Sequence, residues 1–182
     1  MSKKYKFAIL DRDGVINVDH GHVGTFDKFD LFPDVIDFLK YIQIDYRIVI
    51  FTNQAGIAKG KYTLSNFFDL TSNMLREFED NGIDIFHIFW CPHHTDATVP
   101  LYNIACNCRK PKTGMLRQLE IICPVDLTNS FVVGDKLTDL IAAKDFGIKN
   151  RFMITDHRNS SDIAHQIDTL SSLSKFLENK KE

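Results

Sequence analysis

The apolar tetrapeptide Phe7, Ala8, Ile9, Leu10 stops abruptly at Asp11, Arg12, Asp13, Gly14. A short, wholly apolar run closed by a glycine-containing turn reads as a strand buried on both faces, the kind found in parallel sheets. Both carboxylates then emerge at the strand's C-terminal end, where open α/β sheets bind their ligands. Acids this close repel each other, which separates their proton affinities and lets one stay ionised while the other carries a proton. Asp and Gly also end strands for purely conformational reasons. The pair rises above an ordinary turn because the pattern recurs.

Residues 46–51 form a second apolar run that stops at Thr52, Asn53, Gln54, Ala55, Gly56, and residues 130–133 form a third that stops at Gly134, Asp135, Lys136. Asp139 follows Asp135 by four positions, and Arg109, Lys110, Pro111 lie between the second and third runs. Residues 83–90, rich in β-branched and aromatic side chains, and 151–154, the last strand in this reading, complete the set. Helical periodicity fills the intervals: Val35, Phe38, Leu39, Ile42 after Pro33 and Asp34; Phe67, Leu70, Met74, Phe78 after Thr63; Met115, Leu116, Leu119, Ile122; and Leu137, Leu140, Ile141 leading to Gly147. Alternating strands and helices predict an α/β fold, a doubly wound, mainly parallel sheet with helices on both faces. At 182 residues the chain fits one domain, 1–182.

The charge balance excludes several function classes. Lys and Arg total 22 against 24 Asp and Glu, a net charge of -2, which argues against the basic stripe of a nucleic-acid binder. Only four consecutive apolar residues precede Asp11, too few for the core of a signal peptide, and no stretch approaches the roughly 20 apolar residues of a membrane span, so neither is expected. We expect a cytoplasmic monomer with reduced cysteines. The polar end at 179–182 reads as a frayed terminus.

Between the strand at 83–90 and the third helix, residues 91–110 form an aperiodic loop of about twenty residues, a length usually associated with function or with something that holds it. Cys91 and His93 flank Pro92, and Cys106 and Cys108 flank Asn107. Three thiolates and an imidazole make a closed tetrahedral set suited to structural Zn²⁺. His94 competes with His93 for the fourth position, and spacing does not choose between them. Cys123, in an apolar stretch, reads as a core residue. A closed set would shape the loop and fix Arg109 and Lys110, which follow Cys108 directly.

With these motifs in order, the chain resembles the haloacid dehalogenase superfamily of phosphohydrolases. D-R-D-G-V-I-N-V-D-H-G-H at 11–22, T-N-Q-A-G-I-A-K-G at 52–60, C-P-H-H at 91–94, C-N-C-R-K-P at 106–111 and V-G-D-K-L-T-D at 133–139 are similar to the heptose 1,7-bisphosphate 7-phosphatase branch, departing from it at Val15, His22 and Ala55. The resemblance implies a haloacid dehalogenase-like fold without a large cap domain. It implies Mg²⁺-dependent phosphomonoester hydrolysis through an aspartyl-phosphate, a step of heptose-nucleotide synthesis that feeds lipopolysaccharide, capsule or glycoprotein. Asp11 would be the nucleophile and Asp13 the acid and base. Asp11, the main chain of Asp13, and Asp135 would hold Mg²⁺, while Thr52 and Lys110 bind the transferring phosphoryl group. Asp19, His20, Gly21, His22, Asn53, Gln54 and Arg109 would face the sugar or its second phosphate, with Lys136 anchoring the phosphoryl site electrostatically.

Two other readings compete. Histidinol-phosphate phosphatases share the acid pair and a zinc loop, but residues 94–105 make a longer loop here, which favours the heptose branch. A receiver-type signalling domain also accepts phosphate on Asp of a doubly wound sheet. Its acceptor follows the third strand, however, and here no Asp closes the run before Cys91.

Overall fold

The computed structural model describes residues 3–155 and 163–180. Its centre is strand β1 (Phe7–Leu10), followed in the chain by α1 (Val35–Ile42), β2 (Arg47–Asn53), a single turn α2 (Ala55–Ala58), the long α3 (Leu64–Asp80) and β3 (Ile85–Cys91). Next come α4 (Gly114–Ile122), β4 (Phe131–Gly134), α5 (Leu137–Phe146), β5 (Asn150–Ile154), β6 (His165–Ile167) and α6 (Leu170–Asn179). The sheet has the order β3-β2-β1-β4-β5-β6, with every described pairing parallel.

Alternation within each central strand divides the core. Ala8 and Leu10 of β1, Ile48 and Ile50 of β2, and Phe131 and Val133 of β4 pack with the apolar stripes of α1, α3 and α6. Phe7, Ile9, Val49, Phe51 and Val132 pack on the opposite face with α4 and α5. Both faces are therefore apolar, which is why these strands read as continuous runs rather than as alternating ones. Among the described residues none forms a separate cap domain; the segments after β1 and β3 instead reach over the sheet's C-terminal edge.

Local chemistry sets the helix ends. Thr63 and Asn66 form a reciprocal capping box on α3, satisfying backbone donors that the first turn leaves open. Gly147 ends α5 in the left-handed region at φ 103°, a conformation with no steric cost for glycine. Asp34 behaves differently from a simple start signal. Its carboxylate does not cap α1 but accepts from the Ser171 N–H at 2.8 Å and the Ser171 hydroxyl at 3.1 Å, tying α1 to α6.

Three sequence expectations are corrected. Residues 151–154 are not the last strand, because β6 pairs with β5 beyond them; three residues are too few to show a period. Ile122 and Leu137 are exposed, so the core stripes of α4 and α5 are narrower than the apolar sequence, while Cys123 is buried as a core residue should be. Asn179 closes α6 rather than belonging to a frayed end, and residues 181–182 lie outside the described residues.

Candidate active site

The strand order reverses at β1, which runs to β2 on one side and to β4 on the other. Such a switch point leaves a crevice at the C-terminal ends of the strands. Here it is a cavity of about 490 Å³ lined by Asp11, Asp13, Thr52, Lys110 and Lys136 among others. Asp11 follows β1, Thr52 and Asn53 end β2, and Asp135 follows β4. The sequence motifs meet because their strands are neighbours.

Lys110 is the hub. Its Nζ lies 2.9 Å from Asp11 Oδ1 and 2.6 Å from Asp139 Oδ1, and it donates to the Phe51 carbonyl at 2.8 Å. Burial opposes its charge, but Asp11 and Asp139 outweigh that and raise its pKa. For Asp11 the balance goes the other way. Burial, reinforced by Asp139, Asp135 and Asp13, pushes its carboxyl up to about 7 despite Lys110. Lys110 is held at both ends, since its N–H donates to Asn53 Oδ1 at 3.0 Å and its carbonyl accepts from Asn53 Nδ2 at 3.1 Å. The Asn53 amide is thus engaged with the loop backbone even though the residue lines the cavity.

Asp13 is caged. Arg12 donates to it through Nη2 at 2.8 and 3.0 Å and Nε at 3.1 Å, Asn17 Nδ2 at 3.0 Å and Gln54 Nε2 at 3.0 Å. Gln54 also donates to Thr52 Oγ1 at 2.7 Å. It is buried behind the cavity, so it meets Asp13 and Thr52 rather than open substrate space. His20 is turned outward as well, pairing with Asp30 at 2.7 Å; its side chain is not part of the lining. Asp19, Gly21, His22 and Arg109 do line it. His22 holds φ 59° and is the one non-glycine residue with positive φ among the described residues, a costly conformation characteristic of functional sites.

Asp11, Asp135 and Asp139 bring carboxylate oxygens within 4.8 Å of one another. The Asp13 carboxylate is not in this cluster. Asp139 is occupied by Lys110 and by the Lys136 N–H at 3.0 Å, which also caps α5. Asp135 Oδ1, by contrast, is buried with no hydrogen-bond partner, and burial raises this carboxyl's pKa even though Lys136 opposes it. An acceptor in that state fits a hard cation with oxygen ligands such as Mg²⁺. Gly14 makes the approach possible: at φ +86°, a Cβ there would lie 2.3 Å from Asp135 Oδ2. Lys136 Nζ spans Asp19 at 3.0 Å and Asp135 at 3.3 Å. Partial burial works against the Asp19 charge, but hydrogen bonds from Lys136 and the Gly21 N–H keep it below the usual carboxylate range.

The second cluster unites Cys91, His93, Cys106 and Cys108, again within 4.8 Å. Cys91 Sγ lies 3.1 Å from Cys108 Sγ and 3.5 Å from Cys106 Sγ, and His93 Nδ1 lies 3.3 Å from Cys108 Sγ. His94 faces elsewhere, its Nδ1 accepting from the Asp96 N–H at 3.0 Å. These donors can hold zinc. Although burial opposes it, hydrogen bonds, from Cys108 first, draw the Cys106 thiol down to about 6, whereas burial raises Cys91.

Three participants were missed from sequence. Asp139 was visible only as a spacing, though its place three residues after Lys136 is a helix-capping position. Arg12 and Tyr62 gave no signal: the first reads as a charged residue between two acids, yet its side chain is buried against Asp13 and the Val23 carbonyl.

The family model described as polynucleotide kinase 3 phosphatase matches residues 6–168. The D-glycero-beta-D-manno-heptose-1,7-bisphosphate 7-phosphatase of Vibrio cholerae is 38% identical over 167 residues, covering 91% of this chain and 88% of that protein. The chain belongs to this family of phosphatases. The similarly named Escherichia coli K12 enzyme is 38% identical over 155 residues, covering 85% of this chain and 81% of its own length. Among solved structures, D,D-heptose 1,7-bisphosphate phosphatase from B. bronchiseptica, complexed with magnesium and phosphate, superposes with a TM-score of 0.83 at 29% identity and covers 96% of this chain and 99% of that one. Family membership agrees with the haloacid dehalogenase-like fold and phosphatase chemistry expected from the motifs.

Proposed function

We propose that this phosphatase removes the 7-phosphate of D-glycero-β-D-manno-heptose 1,7-bisphosphate in heptose-nucleotide synthesis, as one catalytic domain, 1–182. The observation that carries the reading is the Asp11–Lys110 pair, 2.9 Å apart, on the floor of a cavity whose lining also holds Arg109 and Lys136. One phosphate meets Lys110, with Lys136 anchoring that site electrostatically, and Arg109 serves a second anion. The names and the magnesium and phosphate of the relatives support the same substrate class.

Asp11 attacks phosphorus in line, forming the Asp–phosphate bond as the bond to the sugar oxygen breaks. Lys110 and the Thr52 hydroxyl hold the equatorial oxygens. Asp13 delivers a proton to the leaving oxygen, then takes one from the water that cleaves the aspartyl-phosphate, returning Asp11 and releasing inorganic phosphate. Asp11, Asp135 and the Asp13 main chain would hold Mg²⁺, which supplies charge neutralisation and alignment of the phosphoryl group when bound. Cys91, His93, Cys106 and Cys108 would hold one structural Zn²⁺ that orders Arg109 and Lys110. His22, Asp19 and Gly21 would face the sugar.

The enzyme is read as a cytoplasmic monomer. Its clustered free thiols fit a reducing compartment, and no described helix is long and apolar enough to cross a membrane. Phosphate release from each anomer of the bisphosphate and from histidinol phosphate, with Mg²⁺ present, tests the reading. Preference for the β-bisphosphate is expected, and preference for histidinol phosphate, or a long-lived aspartyl-phosphate without turnover, would reverse it.

A further inference from the structure

Gln54 sits where the first two motifs meet, and every polar atom of its side chain is used. Nε2 donates to Asp13 Oδ2 at 3.0 Å and to Thr52 Oγ1 at 2.7 Å, and Oε1 accepts from the Tyr62 hydroxyl. The amide's orientation is dictated by its partners. Asp13 Oδ2 already accepts from Arg12 Nη2 at 3.0 Å, so it offers Gln54 an acceptor, the NH₂ end faces Asp13, and the Tyr62 hydroxyl then supplies the proton that Oε1 requires. The Tyr62 ring is itself fixed by two glycines: a Cβ at Gly24 or at Gly56 would lie 2.1 Å from a ring atom. The result is a buried chain of donors and acceptors from Tyr62 through Gln54 to two residues of the cavity lining.

We propose that Gln54 is a positioning residue that sets the phosphoryl-binding proton of Thr52 and the leaving-group acid Asp13 in a single geometry. Because Thr52 Oγ1 accepts from Gln54, its own proton is directed away from Gln54 and toward the cavity, where a phosphoryl oxygen would receive it. Because Asp13 Oδ2 is tethered to the same nitrogen, the acid and the phosphoryl donor cannot drift independently. Alignment of this kind acts on the transition state more than on ground-state binding. The inference rests on the aspartyl-phosphate reading above and adds a role for a residue that does not meet the substrate.

The test compares wild type, Gln54→Ala, Gln54→Glu and Tyr62→Phe on the heptose bisphosphate and on p-nitrophenyl phosphate, whose leaving group needs no proton. Gln54→Glu keeps the shape but replaces the donor by an acceptor facing Asp13. Both Gln54 variants should lose about thirtyfold or more in kcat on the sugar substrate with KM changed less than about threefold, and lose distinctly less on the aryl phosphate. Tyr62→Phe, which keeps the ring in its slot, should show the same pattern at a few-fold. An unchanged melting temperature in at least one of the variants separates positioning from loss of fold. Equal losses on both substrates, or Gln54 variants within about twofold of wild type, would overturn the proposal. Wild-type hydrolysis of the aryl phosphate but not the bisphosphate would instead overturn the heptose reading, with the Thr52 part of the proposal still read from kcat on the aryl substrate.

Discussion

The two ligand clusters, one in contact with Lys110 and the other ending two residues before it, follow opposite rules. The carboxylates of Asp11, Asp135 and Asp139 come from two strand ends and the helix start after β4, and one buried oxygen, on Asp135, has no partner. The sulfurs and imidazole of Cys91, His93, Cys106 and Cys108 come from the end of β3 and one loop, and their four donor atoms lie within 4.8 Å of one another. Hard oxygen donors with room for water and phosphate suit a cation that takes part in exchange. Soft donors in a closed set suit one that stays. Lys110 joins them, two residues beyond Cys108 and in contact with Asp11. On the proposed reading, the difference teaches that one cluster would meet substrate while the other would hold in place the lysine that meets it.

The comparison can be broken most severely at Asp11. Asp11→Asn keeps the shape but removes the nucleophile and a carboxylate from the oxygen cluster, so phosphate release should fall by more than about a thousandfold, roughly 4 kcal/mol of barrier. Circular dichroism and zinc content should match wild type; substantial residual turnover would remove Asp11 from the chemistry. Gly14→Ala probes the same cluster without touching a ligand. Its Cβ would collide with the Asp135 carboxylate, so Mg²⁺ affinity and activity should fall by about a hundredfold while bound zinc is unchanged. Retention of Mg²⁺ affinity measured by calorimetry would show that Asp135 is not a ligand.

Cys106→Ser tests the other cluster. Bound zinc should fall below one per chain and kcat/KM by about tenfold, with no rescue by added Mg²⁺, because the loop that carries Lys110 loosens while the sheet core stays intact. Active wild-type protein shown by elemental analysis to contain no zinc would refute the structural role. The smallest effect is a pH dependence. Asp11, lifted to about 7 by burial, is increasingly protonated as pH falls through 7, so Mg²⁺ must displace that proton. Mg²⁺ affinity should therefore weaken as pH falls, by about threefold between pH 7.5 and 6.5, and level off above 8. Flat affinity from 5.5 to 8 would separate Asp11 from the metal.

Much of this molecule is local and therefore legible. Phe7–Leu10, the polar residues that end it, and the stripe Phe67, Leu70, Met74, Phe78 are visible because burial on both faces of a strand or one face of a helix writes a short-range period into the sequence. The Cys-x-His and Cys-x-Cys spacings are legible for the same reason, since a metal gathers ligands that lie close along a loop. Tertiary structure alone put β1 between β2 and β4, which parallel pairing across long crossovers leaves open, and so brought Asp11, Thr52 and Asp135 to one crevice. It chose His93 over His94, turned Arg12 inward and Ile122 outward, and set Asp139 against Lys110. Each of those outcomes depends on the direction of a side chain relative to a partner far away in sequence, a quantity that periodicity does not carry.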